Sequence, residues 1–242
     1  GLCRGTLFQD VVRICEHHKP KVIFCENVKG LTIHDRGRTF QVITKAFEQI
    51  GYMVYSKVIN SKDFGVPQNR ERIYIVAFRN DIDSRGFAFP EGNNDKTCIN
   101  DILEKAPISP KYYLSDVYVD TLKAHKERHK NKGNGFGYEI RPLDGQAGAI
   151  VCGGMGRERN LIIDSRPHSM IPVTHIKGEI NKEDIRKLTP REWARLQGFP
   201  ESYTLELSDT HLYKQFGNTV TVPVIEAIAN EIRRVLDNGQ KV

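Results

Sequence analysis

Val22-Ile23-Phe24-Cys25-Glu26-Asn27-Val28 is the stretch on which the fold turns. Four apolar residues in a row run straight into a carboxylate and an amide. Such an unbroken apolar run suits a strand covered on both faces, as in a parallel sheet. Upstream, Lys19-Pro20 stops a preceding helix, because proline cannot continue one. That helix is predicted over Thr6 to His18, where Leu7, Phe8, Val11, Val12, Ile14 and Cys15 recur at helical spacing. Downstream, Phe40, Ile43, Ala46 and Phe47 mark a second helix over Arg38 to Gln49, ended by Gly51. Two strands follow, Tyr52 to Ile59 and Arg72 to Phe78. In the latter, Ile73, Ile75 and Ala77 alternate with Tyr74, Val76 and Phe78. Helix–strand–helix–strand order with short connections predicts α/β layering.

Beyond Arg79 the pattern breaks. Residues 80 to 188 hold most of the glycines and prolines and no long periodic segment, which predicts an irregular, β-rich second domain. Regular structure returns at Thr189-Pro190-Arg191-Glu192, a capping box with proline at the first helical position, opening a helix through about Gln197. A last helix is predicted from about Pro223 to Leu236, with Val224, Ile225, Ile228, Ala229, Ile232 and Val235 on one face.

The 242 residues, 39% hydrophobic, suffice for one ordinary core plus a smaller second domain. A formal net charge of +6 leans weakly towards a polyanionic partner. Five cysteines in no CxxC spacing fit a reducing cytoplasm better than a disulfide framework or a zinc site. No apolar stretch approaches the roughly 18–20 residues that span a bilayer, and no signal-peptide pattern is present. The opening Gly1-Leu2-Cys3-Arg4-Gly5 has no initiator methionine and reads as the interior of a larger protein.

Four short segments carry chemistry. Glu26-Asn27-Val28 lies at a strand's carboxyl edge, where open α/β sheets bind ligands. Gln68-Asn69-Arg70-Glu71-Arg72 sets two guanidinium groups at the start of another strand. Lys187 to Pro200 contains the Pro-Arg-Glu helix start, and Gln215-Phe216-Gly217-Asn218-Thr219-Val220 reads as a glycine turn. Taken singly, these are a strand end, a solvated turn with a salt bridge, a capped helix and a loop.

Together and in this order, with the Arg4-Gly5 helix start, they resemble the C-terminal motif series of cytosine-5 DNA methyltransferases, over nearly the whole chain and least from 80 to 180. The resemblance implies a partial Rossmann-like methyltransferase catalytic domain of α/β class, with a small irregular β-rich target-recognition domain. The expected division is 1–80 catalytic, 81–216 target recognition with the Pro-Arg-Glu helix, and 217–242 a helix returning to the catalytic domain. It also implies methyl transfer from S-adenosylmethionine to carbon-5 of a cytosine flipped out of a specific duplex site. S-adenosylhomocysteine is then the product, and a bacterial, cytoplasmic restriction–modification setting is expected by analogy.

Cytosine carbon-5 is a weak nucleophile, so in this family a cysteine thiolate first adds at carbon-6. A carboxylic acid at ring nitrogen-3 helps the ring accept the charge. The resemblance gives that role to Glu26, a contact with the exocyclic oxygen to Arg72, and a structural or phosphate-neighbouring place to Arg70. It sets Leu7, Asn218, Thr219 and Val220 against the cofactor, Leu7 being equally readable as core. The family's Pro-Cys pair and glycine-rich cofactor loop have no counterpart in this sequence, and Cys3, Cys25 and Cys152 do not match the nucleophile's place. The chain by itself is therefore expected to be inactive, with the N-terminal catalytic segment a partner in trans.

Sequence reading of DNA is expected from the variable region. Lys126 and Lys130 lie in a basic run suited to phosphates or to a solvated helix face. Two glycine-rich stretches contain Asn134 and Phe136, and Arg157, Glu158 and Arg159. Arginine forks suit guanine edges and Glu158 could accept from a cytosine amine; a hairpin turn with charged flanks is the alternative. Ala149-Ile150 stands where many members carry Thr-Leu, which removes a threonine contact to the flipped nucleotide. Two other readings stay open: a non-catalytic DNA-binding subunit or degenerate homologue, and an RNA methyltransferase on the same fold.

Overall fold

A computed structural model of the chain describes residues 6–238 except 94, 106, 136, 154–155 and 167–177. In chain order its helices and strands are α1 (Thr6–His18), β1 (Val22–Val28), α2 (Arg38–Gln49), β2 (Tyr52–Asn60), β3 (Gln68–Asn69), β4 (Glu71–Arg79), α3 (Ile99–Ile102), α4 (Asp116–Asn131), β5 (Ala147–Gly148), β6 (Leu161–Ile163), β7 (Ile185–Lys187), α5 (Pro190–Leu196), α6 (Asp209–Asn218) and α7 (Val222–Asn238). They form two compact units. The first comprises Gly1–Asn60, Glu71–Gly92 and Val224–Val242, the second Ser61–Arg70 and Asn93–Pro223.

In the first unit three strands pair in the order β1-β4-β2, with β4 in the middle and antiparallel to both neighbours. This corrects the expectation that the Val22–Cys25 run is a strand of parallel type covered on both faces. Within β1 only Ile23 is buried. The strand covered on both faces is β4, where every residue from Ile73 to Phe78 is buried. A middle strand has both edges hydrogen-bonded as well as both faces packed. The outer edge of β1 pairs with no strand among the described residues. Helical periodicity was the surer guide, since α1 and α2 begin and end where the apolar spacing put them.

On one face of the sheet, Cys15, Ile23, Phe47, Tyr52, Ile73, Ile75 and Ala77 form a core joined by Phe8, Val12, Phe40 and Ile43. Phe8 meets Phe47 edge-to-face at 5.5 Å. Fully burying a side chain such as Phe47 stabilises by about 1.5–3 kcal/mol, and this face gathers several. The other face carries Tyr55, Phe78 and Phe87 in mutual ring contact at 5.2–6.0 Å. On α7, Val224, Ile228 and Val235 recur at the spacing of one helical face and are all buried.

The second unit differs from its expectation in two elements. Its strands β5, β6 and β7 are two or three residues long, but α4 is a sixteen-residue helix. Ser115 caps it by accepting from the Tyr118 amide at 3.2 Å, and Arg128, His129 and Lys130 fill its last turn, favourable for the helix dipole. Periodicity missed it because only Val119 and Leu122 are buried on an otherwise charged helix. Those two join Leu114, Leu161 and Ile185 in a small core. A larger one surrounds Trp193, Leu196 and Phe216. The Gln215–Asn218 segment, expected as a turn, is the last turn of α6. Gly217 is required there, because a Cβ would overlap the Val151–Cys152 backbone.

Between these cores lies a closed charge network. Arg186, fully buried on β7, donates to both carboxylate oxygens of buried Glu192 at 2.8 and 2.9 Å and to Asp164 at 2.7 Å. Arg166 grips Asp164 twice at 2.7 Å. Glu192 also accepts the Thr189 and Glu104 amides at 2.7 and 3.0 Å, so the capping box read from sequence is one corner of the network. Burial opposes ionisation of Asp164, but hydrogen bonds from Arg166 and Arg186 overcome it and hold the carboxyl well below the usual carboxylate range.

Removing the central guanidinium strands two buried carboxylates, so Arg186→Met is expected to destabilise the second unit by about 3–5 kcal/mol in a urea titration. Asp164 adds stability that is complete above its unfolded pKa of about 4 and is lost as pH falls towards its lowered folded value. Acid unfolding of Arg186→Met should accordingly begin at a higher pH than in the parent chain. A variant that melts like the parent at neutral pH would show the network to be dispensable.

Candidate functional site

In the first unit the sheet register builds a paired acid and base. Glu26 lies opposite Tyr74 and Val28 opposite Arg72, so Glu26 and Arg72 are diagonal neighbours across the β1–β4 ladder. Arg72 Nε lies 3.0 Å from Glu26 Oε1, with the side chains 12% and 24% exposed. The contact is one of charge without hydrogen-bond alignment: Oε1 is buried and finds no hydrogen-bond partner among the described residues. Arg72 spends Nη1 on the Glu71 carbonyl at 2.9 Å, and Lys29 bonds the Glu71 carboxylate at 2.9 Å. The carboxylate is thus fixed in place while keeping acceptor capacity.

Strand alternation sorts the other candidates. Ile23 and Cys25 pack towards α1 and α2, whereas Phe24 and Glu26 take the opposite face, where Phe24 meets Tyr74. Leu7, on α1, is 72% exposed, so it is not core; its helix covers the face away from Glu26, and the structure does not bring the two together. Burial, and then the neighbouring Cys15, push the Cys25 thiol up, which disfavours the nucleophilic thiolate.

In the second unit the other arginine of the Gln-x-Arg-x-Arg motif belongs to the frame. Arg70 is buried and donates to the Ile150 carbonyl at 2.7 Å and the Thr219 carbonyl at 3.0 Å. Gln68 accepts the Ile150 amide at 3.0 Å and donates to the Leu196 carbonyl at 2.8 Å. Gln197 donates to the Phe216 carbonyl at 2.9 Å and accepts from Thr221, which also bonds Ser61. This knot positions Asn218, the last residue of α6, with Thr219 and Val220 after it. Asn218 Oδ1 accepts from the Cys152 thiol at 2.7 Å. Gln197, Thr221 and Ser61 carried no signal in the sequence beyond the neighbourhood of known motifs.

The expected DNA-facing residues separate by burial. Arg157 and Arg159 are half-buried, while Glu158 and Asn160 between and after them are buried. The Arg157 guanidinium lies 5.3 Å over the Tyr213 ring, beside a cavity of about 300 Å³ that Cys152, Gly153, Trp193 and Lys214 also line. Glu158, expected to accept from a base, instead accepts from the Tyr118 hydroxyl at 3.0 Å and lies 3.4 Å from Lys187 Nζ. Lys126 and Lys130 are exposed on α4, and Lys126 donates to the Tyr138 carbonyl at 3.1 Å. Asn134 is exposed and its amide returns to the His129 carbonyl at 2.9 Å. Phe136, like Cys3, Arg4 and Gly5, lies outside the described residues.

Comparison with known proteins agrees with these motifs. The family model described as C-5 cytosine-specific DNA methylase matches residues 2–234. Type II methyltransferase M.HpaII of Haemophilus parainfluenzae is 56% identical over 237 residues, covering 97% of this chain and 66% of that protein. Type II methyltransferase M1.ScrFI of Lactococcus lactis subsp. cremoris is 39% identical over 240 residues, covering 98% and 58%. The chain thus spans somewhat less than two thirds of these relatives' length. Among solved structures, the Entamoeba histolytica methyltransferase EhMeth superposes with a TM-score of 0.69 at 20% identity, covering 95% of this chain and 69% of its own. The S. pombe Dnmt2 methyltransferase gives 0.69 at 20%, covering 95% and 72%. At that identity the likeness speaks for the fold, the α/β class expected from the sequence.

The two motif arginines are expected to separate in stability measurements. Arg70→Met leaves one buried and one half-buried carbonyl without their charged donor and should cost about 1.5–3 kcal/mol. Arg72→Met, at a partly exposed pair, should cost less than half as much. Equal losses in thermal melts of the two variants would contradict the division between frame and site.

Proposed function

Because the chain belongs to the family of C-5 cytosine-specific DNA methylases, we propose that it supplies the base-activating acid and the sequence-reading unit of an enzyme that methylates carbon-5 of cytosine in duplex DNA, in a type II restriction–modification setting. The observation that carries this reading is the Glu26–Arg72 pair: a carboxylate held at 3.0 Å from a guanidinium, with a buried oxygen that no donor among the described residues bonds.

The chemistry asks for such a pair. When a thiolate adds at carbon-6 of the base, electron density moves towards ring nitrogen-3 and the exocyclic oxygen, and carbon-5 becomes enamine-like. Glu26, as a carboxylic acid, hydrogen-bonds nitrogen-3, and Arg72 offers N–H to the oxygen. Donors preorganised where charge develops lower the barrier more than solvent can. The target base must leave the duplex stack to reach them, at a cost of a few kcal/mol. Arg157 and Arg159 read base edges in the flanking duplex, and Lys126 and Lys130 contact phosphates.

S-adenosylmethionine, when bound, supplies an electrophilic methyl group. The resemblance assigns it Leu7 of the first unit and Asn218, Thr219 and Val220 of the second, and neither set makes a cradle for it by itself. Leu7 offers exposed apolar surface, but the Asn218 oxygen is taken by Cys152 and the Thr219 carbonyl by Arg70. The residues that hold the cofactor, and the nucleophilic cysteine, therefore belong to the part of the enzyme that these residues do not include.

Two outcomes test this reading. Incubated alone with labelled S-adenosylmethionine and mixed-sequence DNA, the chain is expected to give background incorporation; clear methylation dependent on Cys25 or Cys152 would overturn the assignment. In the complete enzyme, Glu26→Gln keeps shape but cannot protonate nitrogen-3. A fall in methyl transfer on the order of tens to thousands of fold is expected, with DNA binding retained. Parental rates in this variant would return Glu26 to a strand-end role.

A further inference from the structure

The Arg157-Glu158-Arg159-Asn160 segment alternates half-buried and buried residues, and the buried ones point into the second unit. Asn160 is sealed against β5, accepting the Gly148 amide at 2.7 Å and donating to its carbonyl at 3.2 Å. Glu158 reaches the opposite way. Its Oε1 receives the Tyr118 hydroxyl of α4 at 3.0 Å and lies 3.4 Å from Lys187 Nζ of β7, and the ammonium sits 5.3 Å over the Tyr118 ring. Burial, with Glu158 beside it, pushes the Tyr118 hydroxyl up to about 12, so it stays a donor. Burial also pushes the Lys187 ammonium down, against the pull of Glu158. Three polar groups so enclosed are costly unless they fix something. What they fix is the short helical turn Glu158–Asn160, which contains Arg159 and follows Arg157, whose guanidinium lies against the Tyr213 ring.

We propose that Glu158, held by Tyr118 and Lys187, is a positioning residue for sequence specificity: it does not touch DNA but locks the turn that aims Arg157 at its base pair. The proposal rests on the reading of Arg157 as a contact to a base edge. Glycine at 156 serves the same purpose, since a Cβ there would strike the Val151 carbonyl and open the turn. Backbone bonds add a second restraint, the Glu139 amide donating to the Glu158 carbonyl at 2.9 Å.

The test uses the complete enzyme and a duplex library randomised over about ten base pairs around a cytosine, with methylated sites read by bisulfite sequencing. Arg157→Ala is expected to lose preference at one position by roughly 5- to 150-fold, the value of one good bidentate contact. Tyr118→Phe and the neutral double variant Glu158→Gln/Lys187→Met, both chosen to keep the interior free of stranded charge, should lose preference at that same position. Neither should lose more in an Arg157→Ala background, because residues acting through one contact are not additive. If Arg157→Ala leaves the spectrum unchanged, the base-reading role of Arg157 fails and the proposal with it. If Arg157→Ala acts but the Tyr118 and Glu158/Lys187 variants keep the parental spectrum, add to it, or change a different position, the positioning role is overturned while the base-reading role stands.

Discussion

Arg186 is fully buried, and each nitrogen of its guanidinium donates to Glu192, Asp164 or a backbone carbonyl. A desolvated guanidinium without its carboxylates would be prohibitive, and so would the carboxylates without it. The network therefore acts as an all-or-none joint between β6, β7, α5 and the segment after α3. Those elements are too short to be stable alone; β6 and β7 are three residues each. With the joint closed, Lys187 and Leu188 follow Arg186 into the interior. Lys187 is then in place for Glu158, and the Tyr213 hydroxyl bonds the Leu188 carbonyl at 2.6 Å.

The first unit solves a different problem by different means. A carboxylate close to a sheet must be neither solvated away nor neutralised by full hydrogen bonding. Antiparallel pairing of β1 with β4 places Arg72 one diagonal step from Glu26, near enough for charge and misaligned for a hydrogen bond. The two arginines of the same five-residue motif then diverge. Arg70, between β3 and β4, sets its fork on two carbonyls, and Arg72, the second residue of β4, lies beside the acid.

Much of this was legible beforehand. Apolar spacing located α1, α2 and α7, the capping box located α5, and the motif order identified the family. What was not legible had physical causes. The helix α4 buries just two apolar side chains, so it has little periodicity to read. Gln215–Asn218 looked like a turn because glycine usually marks one, whereas here glycine allows α6 to approach the Val151–Cys152 backbone. Glu158 looked like a base contact because two arginines flank it, and no local pattern tells which of alternating charged residues turns inward.

The sequence by itself determined the elements, their order and the chemical type of the acid at position 26, because periodicity, capping and motif spacing are local properties of the chain. It also carried the family. Tertiary structure alone decided that β4 and not β1 is the strand sealed on both faces, that Arg70 braces the frame while Arg72 meets Glu26, and that Glu158 serves the interior. Each of those outcomes depends on which residues distant in sequence come to surround a given side chain. Burial and the pairing of charges are set by those neighbours, and neighbours exist only once the chain has folded.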